Sequence, residues 1–313
     1  MADEGWERET LQKLAFAALR EQRSSRRWGI FFKLLTFAYI TLIVVFAIEW
    51  KTKGEAAGGG KHTALVEVSG IIAPGTDASA EKIVAALQAA FKDKNTQGVV
   101  VRINSPGGSP VQAQIIYDEM KRLRTKHAGI PLYAVVEDLC ASGGYFVAAG
   151  ADRIYVNRSS LVGSIGVRMD GFGVTGLMDK IGVERRLLTA GENKGFLDPF
   201  LPVDEKQKQH AQEMLDDIHR QFISVVREGR GNRLKDIPGI FSGLIWTGQK
   251  GVEIGLADAF GSLDFVAREV IKAEDIVDYS QKENIAEKVA RRFGMGMASA
   301  FAEMLARQAP GLR

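Results

Sequence analysis

The chain has 313 residues, 46% hydrophobic and 25% charged, with a formal net charge of only +3. Lysine and arginine are scattered rather than striped, which excludes a dedicated nucleic-acid surface. A single cysteine (Cys140) rules out an intrachain disulfide and a cysteine-based zinc cluster, and four dispersed histidines lack metal-ligand spacing, so neither a metal nor a cofactor is expected.

Residues 1–28 are polar and Arg-rich, with an amphipathic helical pattern around Leu11–Leu19. Gly29–Ile48 is apolar except for Lys33, and its twenty residues would span about 30 Å as a helix, the thickness of a bilayer's hydrocarbon core. Trp28 and Trp50 bracket the run as interfacial aromatics do. Residues 29–49 are therefore predicted to cross a membrane. Arg20, Arg23, Arg26, Arg27 and Lys33 outnumber Lys51, Lys53 and Lys61, which places the N-terminus in the cytoplasm and the body outside it. The small residues of EAAGGG raise the alternative of a cleaved signal peptide, but the long basic leader and long apolar run favour an anchor.

A Gly/Ala/Lys linker (50–62) leads to a body at 63–272 and a tail at 273–313. Within the body, the strand-like ALVEVSGII precedes a helical AEKIVAALQAAF; QGVVVRI, the turn NSPGG and the helical PVQAQIIYDEMKRLR follow. PLYAVVE is again a strand, with a helix opening at Ser142. RIYVN is a strand, GSIGV a turn and VERRLLTA a further strand, ahead of a long amphipathic helix from about Asp204 to Glu228. DIVDYSQ reads as a last short strand or extended piece, and the segment after it as an amphipathic helix, interrupted by Gly294 and Gly296, for a surface or oligomer contact, with a peripheral membrane contact or a flexible tail as alternatives. Alternating strands and helices imply a largely parallel α/β sheet.

Three glycine turns, Ile103–Ser109, Ala141–Tyr145 and Gly163–Val167, follow predicted strands, where parallel α/β folds place their sites. Ser142 ends a strand and opens a helix, a suitable place for a nucleophile, which needs an adjacent base. The Gly143 N–H and a second N–H from Gly107 or Gly108 could form an oxyanion hole. The base is harder to assign. His62 lies in the linker, His127 in a turn, and His210 and His219 stand nine apart on the long helix. Lys194, in GENKGF, is the better candidate, although a loop lysine by itself reads as solvated and can act as a base only when neutral. Ser164 either closes a turn or joins the site, Glu137 and Asp138 read as surface charges, and Cys140 as a small core residue.

Taken together, NSPGG, ASGGYF, GSIGV, AGENKGF, GRGN at Gly229–Asn232 and WTGQKGVEIGLAD at Trp246–Asp258 resemble the short form of the S49 signal-peptide-peptidase family. The likeness covers roughly 63–268 and places the chain in the wider group of Clp-protease and crotonase-like folds. It implies a spiral of parallel strands and helices and a serine endopeptidase. In that reading Ser142 is the nucleophile, Lys194 its general base and Ser164 the residue that orients Lys194; Gly108, preferred to Gly107, forms the oxyanion hole with Gly143. The resemblance also implies cleaved signal peptides and other hydrophobic peptides as substrates, with apolar subsites near Phe146, Leu161 and Val162. The expected setting is a ring- or dome-shaped homo-oligomer in the bacterial inner membrane, its catalytic domain periplasmic, with serine and lysine able to come from neighbouring subunits. Two rivals are a crotonase-like acyl-CoA enzyme, which the anchor argues against, and a non-catalytic scaffold, which the presence of both Ser142 and Lys194 argues against.

Overall fold

The β-branched runs form strands and the 3.6-period segments form helices. A computed structural model describes Phe16, residues 26–44 and residues 60–280. The pattern at 11–19 (Phe16 apart), most of the linker and the tail segment from 281 lie outside the described residues. The chain divides into two compact units at Gly59/Gly60.

In the first unit, helix α1 (Arg26–Val44) is long and apolar enough to cross a membrane. Thr36 and Thr41 donate their hydroxyls to the carbonyls of Phe32 and Phe37 four residues back, so neither leaves a hydroxyl proton facing an apolar surround.

The second unit begins with β1 (His62–Ser69), α2 (Ala80–Lys92), β2 (Thr96–Ser105), α3 (Pro110–Lys126), β3 (Leu132–Ala141) and the short α4 (Gly143–Ala148). Helix α2 buries Ile83, Ala86, Leu87, Ala90 and Phe91, the i, i+3, i+4 stripe of a helix lying on a sheet. Helix α3 starts at Pro110 behind Ser109, whose side chain accepts from the Gln112 N–H. Next come β4 (Arg153–Val156), β5 (Leu161–Gly163), α5 (Thr175–Ile181) and α6 (Glu205–Arg230). The unit closes with β6 (Ile245–Thr247), α7 (Gly248–Ile254), β7 (Ala259–Phe260), α8 (Leu263–Phe265) and β8 (Ile276–Asp278).

The strands form one sheet in the order β6-β5-β3-β2-β1-β8, with β4 also on β3 and β7 on β4. All pairings are parallel except β5 with β6, as the alternation of strands and helices predicts. Val99, Val101, Ile103, Leu132, Ala134 and Val136 belong to the main core, while Val100 and Val135 join Tyr155 and Val266 in a second cluster. Strands β2 and β3 are thus covered on both faces, which explains their unbroken apolar character.

Strand β3 carries the architecture toward the site. Its first half pairs with β4 at Tyr133–Val135 and its second half with β5 at Leu139–Ala141. Between the two halves its register with β2 slips, Ile103 facing Val136 but Ser105 facing Cys140. The bulge sets the end of β3 beside the end of β2 and hands the chain to α4.

Behind α4, a buried clasp fixes the end of α6. The Arg230 guanidinium binds Asp258 through two bonds of 2.9 Å and donates its Nε–H to the Gly255 carbonyl at 2.8 Å. Asp258 also accepts from the Ile154 N–H at 2.7 Å and from Arg233 at 3.0 Å.

One predicted element is absent. Residues 183–190 form no strand: Val183 is 51% exposed and Leu188 98%, and α5 just before them buries nothing. Among the described residues the segment meets no ladder partner. DIVDYSQ does supply a strand, β8, which pairs with β1 from Thr63 to Leu65.

Candidate active site

The bulged end of β3 delivers Ser142 in a conformation that L-residues avoid, φ 53° and ψ −123°, immediately before α4. Such a backbone costs of order 1–3 kcal/mol and persists only where its surroundings impose it. Here the surroundings are specific. The Ser142 N–H donates to the Gly163 carbonyl at 2.9 Å, and its own carbonyl accepts from Phe146 at 2.9 Å. Tyr145, fully buried, ties α4 down by donating its hydroxyl to the Leu256 carbonyl at 2.7 Å.

Against this corner lies the turn after β2. A Cβ on Gly107 (φ 96°) would sit 2.6 Å from the Gly143 nitrogen and 2.7 Å from the Ser142 Cβ, so the two turns are in direct backbone contact. A Cβ on Gly108 would collide with the Ile72 carbonyl. Ile72 bridges to Gly108 through its neighbours, donating to the Gly107 carbonyl at 2.9 Å and accepting from the Ser109 N–H at 2.8 Å. In that pattern the Gly108 N–H points away from Ile72, and the Gly108 nitrogen lies 3.2 Å from the Cβ position of Gly143. Among the described residues, no hydrogen bond is made by the Gly108 N–H, or by the Gly143 N–H at the first position of α4. Ser142 is therefore flanked by two uncommitted donors. The Gly107 N–H is spent, donating to the Ser105 hydroxyl at 3.1 Å.

Ser164 adjoins Ser142 through Gly163. It too has a positive φ (52°), and its N–H is held by the Leu244 carbonyl at 2.8 Å. Lys194 stands apart. It is exposed, in a turn closed by its own N–H to the Gly191 carbonyl, and it lines an open hollow of about 340 Å³ with Arg185, Phe196, Asp198 and Phe200. Among the described residues its amine bonds neither Ser142 nor Ser164. A single chain thus brings together Ser142, Gly108, Gly143 and the Gly163–Ser164 corner, and leaves Lys194 on the exposed segment.

The remaining candidates fall into structural roles. His62 is buried and bonded to Tyr279 at 3.0 Å; His219 Nε2 lies 3.2 Å from the Ile165 carbonyl, so that nitrogen is committed as a donor. His127 packs its ring on Phe91 and His210 on Phe196. Cys140 is fully buried, and burial pushes its thiol well above the usual range. Phe146 and Val162 do not line an open subsite: Phe146 is 6% exposed between the rings of Tyr117 and Phe222, and Val162 is fully buried in the core. Of the three residues expected to form subsites, Leu161 alone is exposed. A larger cavity, about 690 Å³, opens over the carboxyl half of β3 between Glu137, Asp138, Arg158 and Phe260. It is lined by neither Ser142 nor Lys194; Arg102 in its wall is paired with Glu67 and Glu137, and Arg158 stacks on Phe260 at 4.3 Å. Sequence reasoning missed Ser105, which looks like any serine in a turn, and the Arg230–Asp258 clasp, whose partners stand 28 residues apart.

Comparison with known proteins bears on this arrangement. The model of Peptidase family S49 matches residues 124–276, and that of Clp protease matches residues 65–164, which agrees with the mostly parallel α/β sheet. A Brucella abortus protein named "Na(+)/H(+) antiporter NhaA" is 45% identical over 177 residues, 56% of this chain and 24% of that protein. The Synechocystis sp. "Putative protease slr0021" is 34% identical over 202 residues, 64% of this chain and 70% of the relative. The Enterococcus faecium "Putative signal peptide peptidase SppA" is 29% identical over 237 residues, 73% and 65% of the two chains. The chain thus spans about a quarter of the length of the Brucella relative, whose name describes that whole protein.

Proposed function

The chain belongs to peptidase family S49, and from that premise we propose that it is a membrane-anchored serine endopeptidase that degrades cleaved signal peptides and other hydrophobic peptides. The observation that carries this reading is the strained Ser142, flanked by two uncommitted N–H groups from Gly108 and Gly143.

In the proposed reaction the Ser142 hydroxyl attacks the peptide carbonyl and passes its proton to the neutral amine of Lys194. The oxyanion of the tetrahedral intermediate accepts from the Gly108 and Gly143 N–H groups. The intermediate collapses as Lys194 returns the proton to the departing amine, leaving an acyl ester on Ser142. Water, deprotonated by the same lysine, then releases the acid. Ser164 orients the lysine amine.

Because Lys194 is exposed and separate from Ser142 within one chain, the site is read as completed between neighbouring subunits of a ring- or dome-shaped homo-oligomer. A lysine acts as a base in its neutral form, which burial against a neighbour favours. The exposed apolar side chains of the chain segment that carries Lys194, among them Phe172, Leu188 and Val203, support such an interface. Helix α1 is read as the anchor, with the N-terminus cytoplasmic and the body periplasmic, where spent signal peptides leave the bilayer.

The test is hydrolysis of a signal-peptide-like substrate by the full chain in detergent or liposomes, with Ser142→Ala and Lys194→Ala beside it. Both substitutions should lower kcat by at least about a thousandfold in folded, assembled protein. Full activity in Lys194→Ala would remove the lysine from the mechanism, and an inert wild type would remove the peptidase reading.

A further inference from the structure

Ser105 is fully buried at the end of β2 and faces Cys140 of β3 across the register slip. Its hydroxyl is used in both directions. It donates to the Gly70 carbonyl at 2.6 Å and accepts from the Gly107 N–H at 3.1 Å. Its backbone carbonyl lies 3.0 Å from the Cβ position of Gly144, on the first turn of α4. One small side chain thus touches the end of β1 and the turn after β2, and its own backbone abuts the helix that follows Ser142.

The turn it holds has two adjacent N–H groups, on Gly107 and Gly108. Glycines at φ 96° and φ 153° have no side chains to fix the peptide plane between them. The Ile72 N–H holds the Gly107 carbonyl, in the same peptide plane as the Gly108 N–H, and the Ser105 hydroxyl holds the plane before it by taking up the Gly107 N–H. With both tethers in place, the Gly108 N–H is the donor left uncommitted beside Gly143.

We propose that Ser105 is a positioning residue for the oxyanion-binding turn, acting through Gly107 to hold the Gly108 N–H on the reacting carbonyl. This rests on Ser142 being the nucleophile and Gly108 an oxyanion donor. Removing the hydroxyl leaves the buried Gly107 N–H unpaired and loosens the Pro106–Gly107 peptide, so that the Ile72 bond to the Gly107 carbonyl alone holds the next plane, which carries the Gly108 N–H. The donor is then displaced where negative charge develops, so the loss falls on the transition state and spares the bound substrate.

The experiment uses the full chain in detergent with Ser105→Ala and the near-isosteric Ser105→Cys, each normalised to folded, assembled protein by circular dichroism and sedimentation. Hydrolysis of a signal-peptide-like substrate should show kcat reduced about 10- to 100-fold with KM within about twofold, the size of effect that a misplacement of about 1 Å produces. Affinity for a peptide aldehyde, which forms a tetrahedral adduct on Ser142, should fall by the same factor. Binding of the cleaved product peptide should stay unchanged. An unchanged kcat in either folded variant overturns the assignment. So does a parallel fall in kcat and product affinity, which marks general loosening. If the wild type neither hydrolyses peptide nor takes a serine-directed phosphonate at Ser142, the functional reading fails and this inference with it. If the wild type does both and the Ser105 variants match it, this inference alone fails.

Discussion

At the scale of single residues, charge and strain are both held by buried hydrogen bonds. Burial alone would push the Asp258 carboxyl up, but the bonds and charge of Arg230, with the Ile154 N–H and Arg233, outweigh it and hold the carboxyl below the usual carboxylate range. A folded-state pKa below the unfolded one means the stabilisation is complete above about pH 4 and drains away as pH falls through the depressed value. Asp258→Ala, which strands the Arg230 guanidinium, should cost about 3–5 kcal/mol in urea denaturation at neutral pH. Asp258→Asn should lose the acid-dependent part of the stability curve below about pH 4 that the wild type retains. The sequence pointed to Ser142, Gly108 and Gly143 because three glycine turns occur together in the order of the family it resembles, and that resemblance alone preferred Gly108 to Gly107. It did not point to Ser105 or the clasp. A serine in a turn looks the same whether or not its hydroxyl is doubly engaged, and Arg230 and Asp258 meet only once α6 has been laid across the sheet.

At the scale of elements, the most informative segment is the one without a partner. Strands β1 to β3 were legible because continuous apolar β-branched runs are buried on both faces wherever they fold. Residues 183–190 mix apolar with polar side chains, and such a pattern does not report what covers the apolar ones. From Met169 to Val203 the chain exposes Phe172, Leu177, Ile181, Leu188 and Phe200 as well, and Lys194 sits among them. Leu188→Asp is predicted to shift the protein to smaller species in sedimentation velocity and to abolish peptide hydrolysis in parallel. Its thermal midpoint should barely move when the dissociated forms are compared, because a side chain 98% exposed stabilises nothing within its own chain. A variant that stays assembled and active would place the subunit contact elsewhere.

At the scale of the whole molecule, the proposal that copies share a site carries a numerical expectation. In a ring whose contacts run head to tail, an equal random mixture of Ser142→Ala and Lys194→Ala chains leaves an intact serine facing an intact lysine at about one site in four. Co-expressed variants should therefore recover about a quarter of wild-type activity, whereas sites complete within each chain would recover none. The order of the strands also reaches into how the protein is made. Strand β1 takes β8 as its outer neighbour, Thr63 opposite Ile276, so the first strand of the body completes its pairing only with the last. Every parallel pairing in the sheet closes a long loop, which slows folding. On a ribosome adding about 5–20 residues per second, the outer edge of β1 waits roughly 10–40 s for its partner to be synthesised. During that interval it is an open template for β-pairing with other chains. The nascent body is thus a candidate client for chaperones until Asp278 has emerged, and a chain stopped before Ile276 should be recovered in aggregates.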